Sequence, residues 1–366
     1  MFLLAQAVRT RCDVYVMNAA FRLADLRESL TQGLDLEPAQ IESAVDALAG
    51  EREPDTEKAA FLRALRIKGE TAAEVAGFAQ AFLARAVDPL IDPAALPGPM
   101  LDVCGTGGDR LNLFNISTTA SFLVAAAGVV VVKHGNRAIT SRSGGADVLA
   151  ALDVRLDLPP EELRRCVEQV GMGFLFAPNY HPAFRAVAPV RRLLAEEGVS
   201  TVFNMLGPLL NPARPDHQLV GVHSLALARM FAEVLRQLGR KSAWAVHGAG
   251  GMDELSTLGA SHVSGFAGAE AAIFDRAIAP EDAGLQRVGD LRELEGGNAA
   301  ENAATLAGIL AGEIHGPRLD LVLLNAAAGL VVAGLASDLA SGVELARAQI
   351  RDGRALAKLR ALAQFR

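Results

Sequence analysis

DVCGTGGDRLNLFNISTTASFLVAAAGVVVVKHGNRAITSRS, residues 102–143, decides the fold of this chain. It reads as strand, glycine turn, helix, strand and polar loop. Residues 100–104 are a short apolar run, broken by Gly105-Thr106-Gly107-Gly108-Asp109 with three glycines in four positions. Glycine tolerates φ > 0 and lets the main chain approach a ligand closely, so such a turn can aim several N–H groups at phosphate oxygens. Asn115-Ile116-Ser117-Thr118 follows, with Ser117 or Thr118 expected as the N-cap of a helix running to Gly128. Residues 129–132 read as a buried strand that delivers Lys133-His134-Gly135-Asn136-Arg137 at its carboxyl end, where open α/β sheets bind ligands. Two polar loops at the ends of neighbouring strands make a site for a polyanion.

Two named phosphate motifs are excluded. The P-loop needs Gly, four residues, then Gly-Lys-Ser/Thr, and the dinucleotide fingerprint needs a third glycine where Arg110 stands. Taken alone, the glycine turn is as compatible with a structural turn as with a phosphate cradle. Its combination with Asn115-x-Ser117-Thr118, with Lys133-His134-Gly135-Asn136 and with a later Asp253-Glu254 pair is specific. On those motifs the chain resembles the anthranilate phosphoribosyltransferase family, from about residue 23 to residue 362. The resemblance implies an α/β fold of the nucleoside phosphorylase/phosphoribosyltransferase type. A small all-helical N-terminal domain would join a larger α/β domain with a central, mostly parallel sheet.

The chain's 366 residues exceed one ordinary core, so two domains are expected. Net charge is −7, which argues against non-specific nucleic-acid binding, a process driven by Lys and Arg neutralising phosphates. Cys12, Cys104 and Cys166 are odd in number and form no CxxC pair, which suits a reducing cytoplasm. The apolar window 321–334 contains Asn325 and is too short to span a bilayer. Residues 1–17 are expected to be a loosely packed tail or the product of an upstream start, and no signal peptide is recognised there.

Residues 18–90 read as short amphipathic helices: Leu23, Leu26 and Leu30 on one face, Pro38 opening a second helix, Asp55 capping a third, and Thr71 with Glu74 forming a capping box for a fourth. This helical domain carries no chemistry of its own; in the resembled family it forms the homodimer contact. Residues 89–99 are a proline-rich connection, hinge or passive crossover, into an α/β domain at 98–366. Prolines 178, 182 and 189 forbid one long helix over 174–192, so short helices are expected there. Their Tyr180, His181, Arg185, Arg191 and Arg192 make either a lid-like element or a solvated basic face. In the family this excursion, near 178–206, packs back on the helical domain, and its arginine, here Arg191, reaches the substrate carboxylate. Residues 203–212 read as a loop, 225–238 as a helix, 242–246 as a strand, and Gly250-Gly251 as a turn that lets Asp253 and Glu254 face one ion. The end of the chain reads as helices, the last capped by Ser337.

The substrate implied by the resemblance is 5-phosphoribosyl-1-pyrophosphate (PRPP), and the acceptor anthranilate. The expected PRPP cradle is Gly105, Thr106, Gly107, Gly108, Asp109, Asn115, Ser117, Thr118 and Lys133. The expected anthranilate pocket is Gly105, His134, Asn136, His181, Arg191 and Pro208, with the histidines as shape elements or proton carriers. Mg²⁺, two ions per active site, would take Ser117, Asp253 and Glu254, since it prefers oxygen ligands and usually one or two carboxylates. No general acid or base is nominated, because an alkylated aniline nitrogen is strongly acidic. Arg110 and Leu113 depart from the family's glycine and threonine, and both bear on pyrophosphate binding. Other readings are a non-catalytic nucleic-acid-binding paralogue of the same fold, or a nucleoside phosphorylase. The leading one has no nucleic-acid or membrane partner.

Overall fold

The computed structural model describes residues 21–109, 111–138, 142–268 and 270–366. The expected tail at 1–17, Cys12 and Arg110 lie outside them.

Four helices come first: α1 (Leu23–Thr31), α2 (Pro38–Ala49), α3 (Asp55–Lys68) and α4 (Ala72–Leu83). The leucine stripe of α1 is buried, and Pro38 occupies the first turn of α2, where its missing N–H costs nothing. The capping box of α4 forms as read, with Glu74 N–H donating to Thr71 and Thr71 N–H donating to Glu74. Asp55 is not a cap. Pro54 holds that position, and Asp55 is the first helical residue, where its charge complements the helix dipole.

The chain then alternates. β1 (Met100–Gly105), α5 (Ile116–Ala126), β2 (Val130–Gly135), α6 (Gly145–Ala151), α7 (Pro160–Val170) and β3 (Met172–Phe176) build the first half of the sheet. α8 (Ala177–Tyr180), α9 (Ala188–Glu196) and α10 (Phe203–Leu206) form an excursion that leaves the sheet, and α9 packs on α3 before the chain returns. β4 (His217–Gly221), α11 (Leu225–Gln237), β5 (Ser242–His247), β6 (Ser261–Ala267) and β7 (Phe274–Ile278) complete the sheet. α12 (Ala299–Ala311), α13 (Pro317–Val332), α14 (Leu339–Arg351) and α15 (Arg354–Gln364) end the chain. The strand order is β3-β2-β1-β4-β5-β6-β7, parallel through β5 and antiparallel for the last two pairs.

Several sequence expectations are corrected. The hydroxyls of Ser117 and Thr118 cap nothing: α5 begins at Ile116 with Asn115 before it, so both lie in its first turn. Residues 172–176 form a strand where only short helices were expected, because a five-residue apolar run carries no period that separates the two. Residues 203–212 are not a plain loop but α10 followed by a 3₁₀ turn over Gly207–Leu209. Strand β4 was not anticipated. Asp338, not Ser337, caps α14, its carboxylate accepting from Ser341 N–H at 2.8 Å, and α15 follows it.

The two-residue period of the strands divides the interior. Leu219 faces a core built on α5, α12 and α13, whereas Val220 and Val222 face a core shared with α4, α10 and α11. The second core joins the helical unit to the sheet. At its centre Phe82 of α4 lies 4.9 Å from the ring of Phe184 and 5.5 Å from that of Phe203. Among the described residues no helix is long and apolar enough to cross a membrane. Phe82→Ala is expected to cost about 3–5 kcal/mol in urea unfolding. A loss under about 1 kcal/mol would show that the seam does not rest on this ring.

Candidate active site

β1 and β4 lie side by side, and the chain crosses away from them in opposite directions, which leaves a crevice at their carboxyl ends. The glycine turn leaves β1 here, with Gly107 and Gly108 at φ +64° and +88°, values that a side chain would strain. The acidic pair arrives from the loop after β5. Gly107 N–H donates to Asp253 Oδ2 at 2.8 Å. Carboxylate oxygens of Asp109, Asp253 and Glu254 all lie within 4.8 Å of one another. Ser117 donates its hydroxyl to Glu254 Oε1 at 3.2 Å, an orientation open to it because it caps no backbone group.

Burial, and then Asp253 beside it, raise the Glu254 carboxyl well above the usual carboxylate range; the nearest charges, Asp253 and Asp109, are both negative. Concentrated negative charge on hard oxygen donors fits a divalent cation that takes carboxylates. The sequence reading placed Asp253, Glu254 and Ser117 around the ion. The structure adds Asp109, expected from the sequence only as part of the PRPP cradle.

Lys133 and His134 are the last buried residues of β2. Lys133 donates Nζ to the Val103 carbonyl, and a β-carbon at Gly145 would stand 3.2 Å from Thr118 Oγ1 and 3.7 Å from Lys133 Cε. Thr118, Lys133 and the start of α6 therefore meet. Asn115 sits beside them, its Nδ2 donating to Ser143 O at 3.3 Å and its Oδ1 accepting from Asn302 at 3.0 Å. Leu113 makes an isolated backbone bridge with Glu295, and its side chain packs against the core of the α/β half.

The residues expected around the acceptor lie further along. His134 and His181 are both buried, with their Nε2 atoms 3.2 Å apart, so one ring donates and the other accepts. Burial pushes His134 down to about 3 and His181 down to about 4. The ring of Phe184 packs edge-on against His181, and the Arg191 guanidinium stands 5.6 Å above Phe184 and 5.2 Å above Phe203. Burial lowers the Arg191 pKa, and no carboxylate among the described residues pairs with it. Arg185 and Arg192, by contrast, are exposed. Asn136 is exposed just beyond β2, with its Oδ1 accepting from Arg137 N–H at 2.8 Å.

Pro208 is tied down from below. Its carbonyl accepts from Gln218 Nε2 at 2.6 Å, and Gln218 in turn accepts from the buried Arg240 at 3.1 Å. Asp102, fully buried, accepts from Asn211 Nδ2 at 3.0 Å. Burial raises its pKa, and Lys133 opposes the rise. Asp102, Gln218 and Arg240 were absent from the sequence reading. For Asp102, a charged residue inside an apolar strand was the available signal.

A helical bundle joined to an α/β half, with an acidic cluster facing a glycine turn, defines a class. Residues 24–86 match the family described as "Glycosyl transferase family, helical bundle domain", and residues 97–356 match "Glycosyl transferase family, a/b domain". The anthranilate phosphoribosyltransferase of Chloroflexus aggregans is 48% identical over 325 residues, covering 89% of this chain and 93% of that relative. The crystal structure of the Thermus thermophilus enzyme superposes with a TM-score of 0.85 at 41% identity, covering 93% of this chain and 99% of that one. The Saccharomyces cerevisiae enzyme in complex with PRPP and Mg gives 0.81 at 27%, covering 93% and 96%. The chain belongs to the anthranilate phosphoribosyltransferase family, transferases of tryptophan biosynthesis. The readings as a nucleoside phosphorylase or a nucleic-acid-binding paralogue are set aside.

The histidine pair fixes a pH dependence of stability. Both folded-state pKa values lie below the unfolded value near 6.5, so the unfolded chain binds more protons between pH 6.5 and 4. Stability is full above that window and falls as pH drops through it, by up to about 1.4 kcal/mol per pH unit for each group. Urea midpoints between pH 7 and 4.5 should fall less steeply in His181→Phe than in the wild type. Parallel slopes would contradict the assignment.

Proposed function

We propose that the chain transfers the 5-phosphoribosyl group of PRPP to the amine of anthranilate, giving N-(5-phosphoribosyl)anthranilate and pyrophosphate, with Mg²⁺ bound. The observation that carries this reading is the meeting of the glycine turn with three carboxylates at the β1–β4 crevice. The anthranilate nitrogen forms a bond to the anomeric carbon as the bond to the pyrophosphate oxygen breaks. The electron pair leaves with pyrophosphate, and the amine proton passes to water. No side chain is required as a strong base.

In this reading the N–H groups of Gly107 and Gly108, with Gly105, Thr106, Asn115, Ser117, Thr118 and Lys133, hold PRPP. Asp109, Asp253, Glu254 and Ser117 hold two Mg²⁺ ions, whose charge neutralises the pyrophosphate as it leaves. Arg191 holds the anthranilate carboxylate through two parallel hydrogen bonds, in a pocket of Gly105, His134, His181 and Pro208, with Asn136 at its rim. Two features support this: Arg191 is desolvated among aromatic rings without a carboxylate partner among the described residues, and the yeast enzyme has been solved in complex with 4-fluoroanthranilate. The neutral histidines supply shape, and positioning supplies most of the rate gain.

The reading extends to a cytoplasmic homodimer formed through the helical unit, with folding units at 18–90 and 98–366 and no nucleic-acid or membrane partner. Its support is a groove of about 510 Å³ between α1 and α3, lined by Arg27, Leu30 and Ile67 among others, with Ile67 86% exposed.

Three measurements test these statements. Anthranilate fluorescence should fall when PRPP and Mg²⁺ are added, and EDTA should stop the fall; turnover that persists in EDTA would remove the metal from the reading. Arg191→Ala should raise the KM for anthranilate about 10- to 100-fold, as expected for lost charged hydrogen bonds, with the KM for PRPP changed less than about twofold. Equal effects on both substrates would displace the carboxylate from Arg191. Light scattering should show a dimer that Ile67→Asp converts to monomer, and a monomeric wild type would refute the interface.

A further inference from the structure

The crevice has two rims. One is the glycine turn after β1, and the other is Val222-His223-Ser224, which follows β4. His223 is exposed at the mouth of the crevice and grips one hydroxyl twice. Its main-chain N–H donates to Thr106 Oγ1 at 3.2 Å, and its ring Nδ1 lies 3.1 Å from the same oxygen. Thr106 N–H donates to the Gly221 carbonyl at 2.9 Å, which carries the β1–β4 pairing into the turn. The hydroxyl of Thr106 is also 3.2 Å from Gly107 O. A β-carbon on Gly108 would stand 3.9 Å from the His223 ring, so the imidazole borders the turn beyond Thr106.

Glycine-rich turns have many accessible conformations, and holding one of them costs entropy. The conformation seen here has positive φ at both Gly107 and Gly108. The Gly221 carbonyl of β4 and the Asp253 carboxylate fix Thr106 and Gly107 by accepting from their N–H groups. The side of the turn facing His223 is held through the Thr106 hydroxyl. That hydroxyl can accept from His223 N–H and exchange a hydrogen bond with Nδ1, whichever tautomer the ring adopts.

We propose that His223 is a positioning residue for the phosphoribosyl donor: through Thr106 it holds the glycine turn in the conformation that aims the Gly107 and Gly108 N–H groups at the diphosphate. The proposal rests on the PRPP reading above and deepens it. It assigns His223 no contact with anthranilate, whose proposed pocket is drawn from the ends of β1 and β2, the excursion and the 3₁₀ turn over Gly207–Leu209, and from no residue of the segment after β4. It also explains why a ring with no ion-pair partner among the described residues stands at the rim of a polyanion site: its partner is the turn.

The test measures steady-state kinetics on both substrates for wild type, His223→Phe, His223→Asn, Thr106→Val and the double variant Thr106→Val/His223→Phe. Thermal melts accompany each. Phenylalanine keeps the ring but removes Nδ1, whereas asparagine returns a short polar atom near that position. His223→Phe should raise the KM for PRPP about five- to tenfold, the scale of one neutral hydrogen bond. The KM for anthranilate should stay within about twofold. His223→Asn should recover most of the loss, and the double variant should be no worse than Thr106→Val alone, because that variant already removes the ring contact that His223→Phe removes. A His223→Phe enzyme within about twofold of wild type for PRPP, equal effects on both substrates, or additive effects in the double variant would each overturn the proposal. If His223→Phe melts far below wild type, the soluble His223→Asn and Thr106→Val variants decide: an unchanged KM for PRPP in Thr106→Val overturns it. A wild type that consumes no PRPP would sink the donor reading itself, an outcome distinct from a normal wild type with an indifferent His223.

Discussion

The structure depends on how closely the loop after β5 approaches the ends of β1 and β4. A β-carbon on Gly221 would lie 1.3 Å from the carbonyl oxygen of Asp253, and one on Gly105 would lie 2.4 Å from its carboxylate. Neither position admits a side chain while the loop stays where it is. The glycines therefore do more than free the backbone: they make room for a third strand's loop to wedge into the crevice. Once wedged, Asp253 accepts the Gly107 N–H, so the same contact that seats the acidic loop also shapes the anion-facing turn. Two like charges follow into a partly buried place, and the rise in the Glu254 pKa is the electrostatic consequence. A fold that concentrates carboxylates at this cost to its unliganded state gains the attraction back when a cation arrives.

Beneath the crevice and the histidine pair runs a polar layer that apolar packing alone would not supply. Asp102, Asn211, Gln218 and Arg240 are each buried to 3% exposure or less, and hydrogen bonds pass from Arg240 to Gln218 and on to the Pro208 carbonyl. Asn211 spans Asp102 and the Val132 carbonyl, 2.7 Å away, and so ties the returning excursion to two strands. Burial lowers Arg240 to about 10, with Asp102 pulling it back up. Such a layer costs desolvation and returns geometry. Lys133 on one side and Pro208 on the other are held in a fixed relation that a greasy interface would leave to slide.

The local motifs were legible because their chemistry is contiguous. Three glycines in four positions, a lysine and histidine at a strand end, and a capping box at Thr71 all carry their meaning within a few residues. What escaped depends on sheet order. Strand β4 is five residues long and lies between two loops, so neither its pairing beside β1 nor the place of His223 could be read. Asp102 and Arg240 looked like ordinary charges until the sheet buried them. The cap assignments at Ser117 and Ser337 failed for another reason. Adjacent hydroxyls and carboxylates compete for the same N–H groups, and the winner depends on where the helix enters: Ser117 is turned to Glu254, and Asp338 takes the N–H that Ser337 was expected to hold.

The surroundings of Arg191 show how the helical unit shapes a part of the α/β half. Phe184 and Phe203, the two rings under the Arg191 guanidinium, both pack on Phe82 of α4. The position of the arginine is thus set by a helix outside the α/β half, while His134 is set by the sheet. The His134–His181 contact closes the span between them. A charged group held over aromatic faces in a partly desolvated pocket loses hydration that the rings only partly replace, and the bidentate carboxylate proposed above would restore the remainder. The glycine turn and its carboxylates belong to the sheet, and Arg191 with its rings to the seam between sheet and bundle. In the proposed reaction the distance between nucleophile and anomeric carbon would therefore follow how the second core packs, where the rings of Phe82, Phe184 and Phe203 meet.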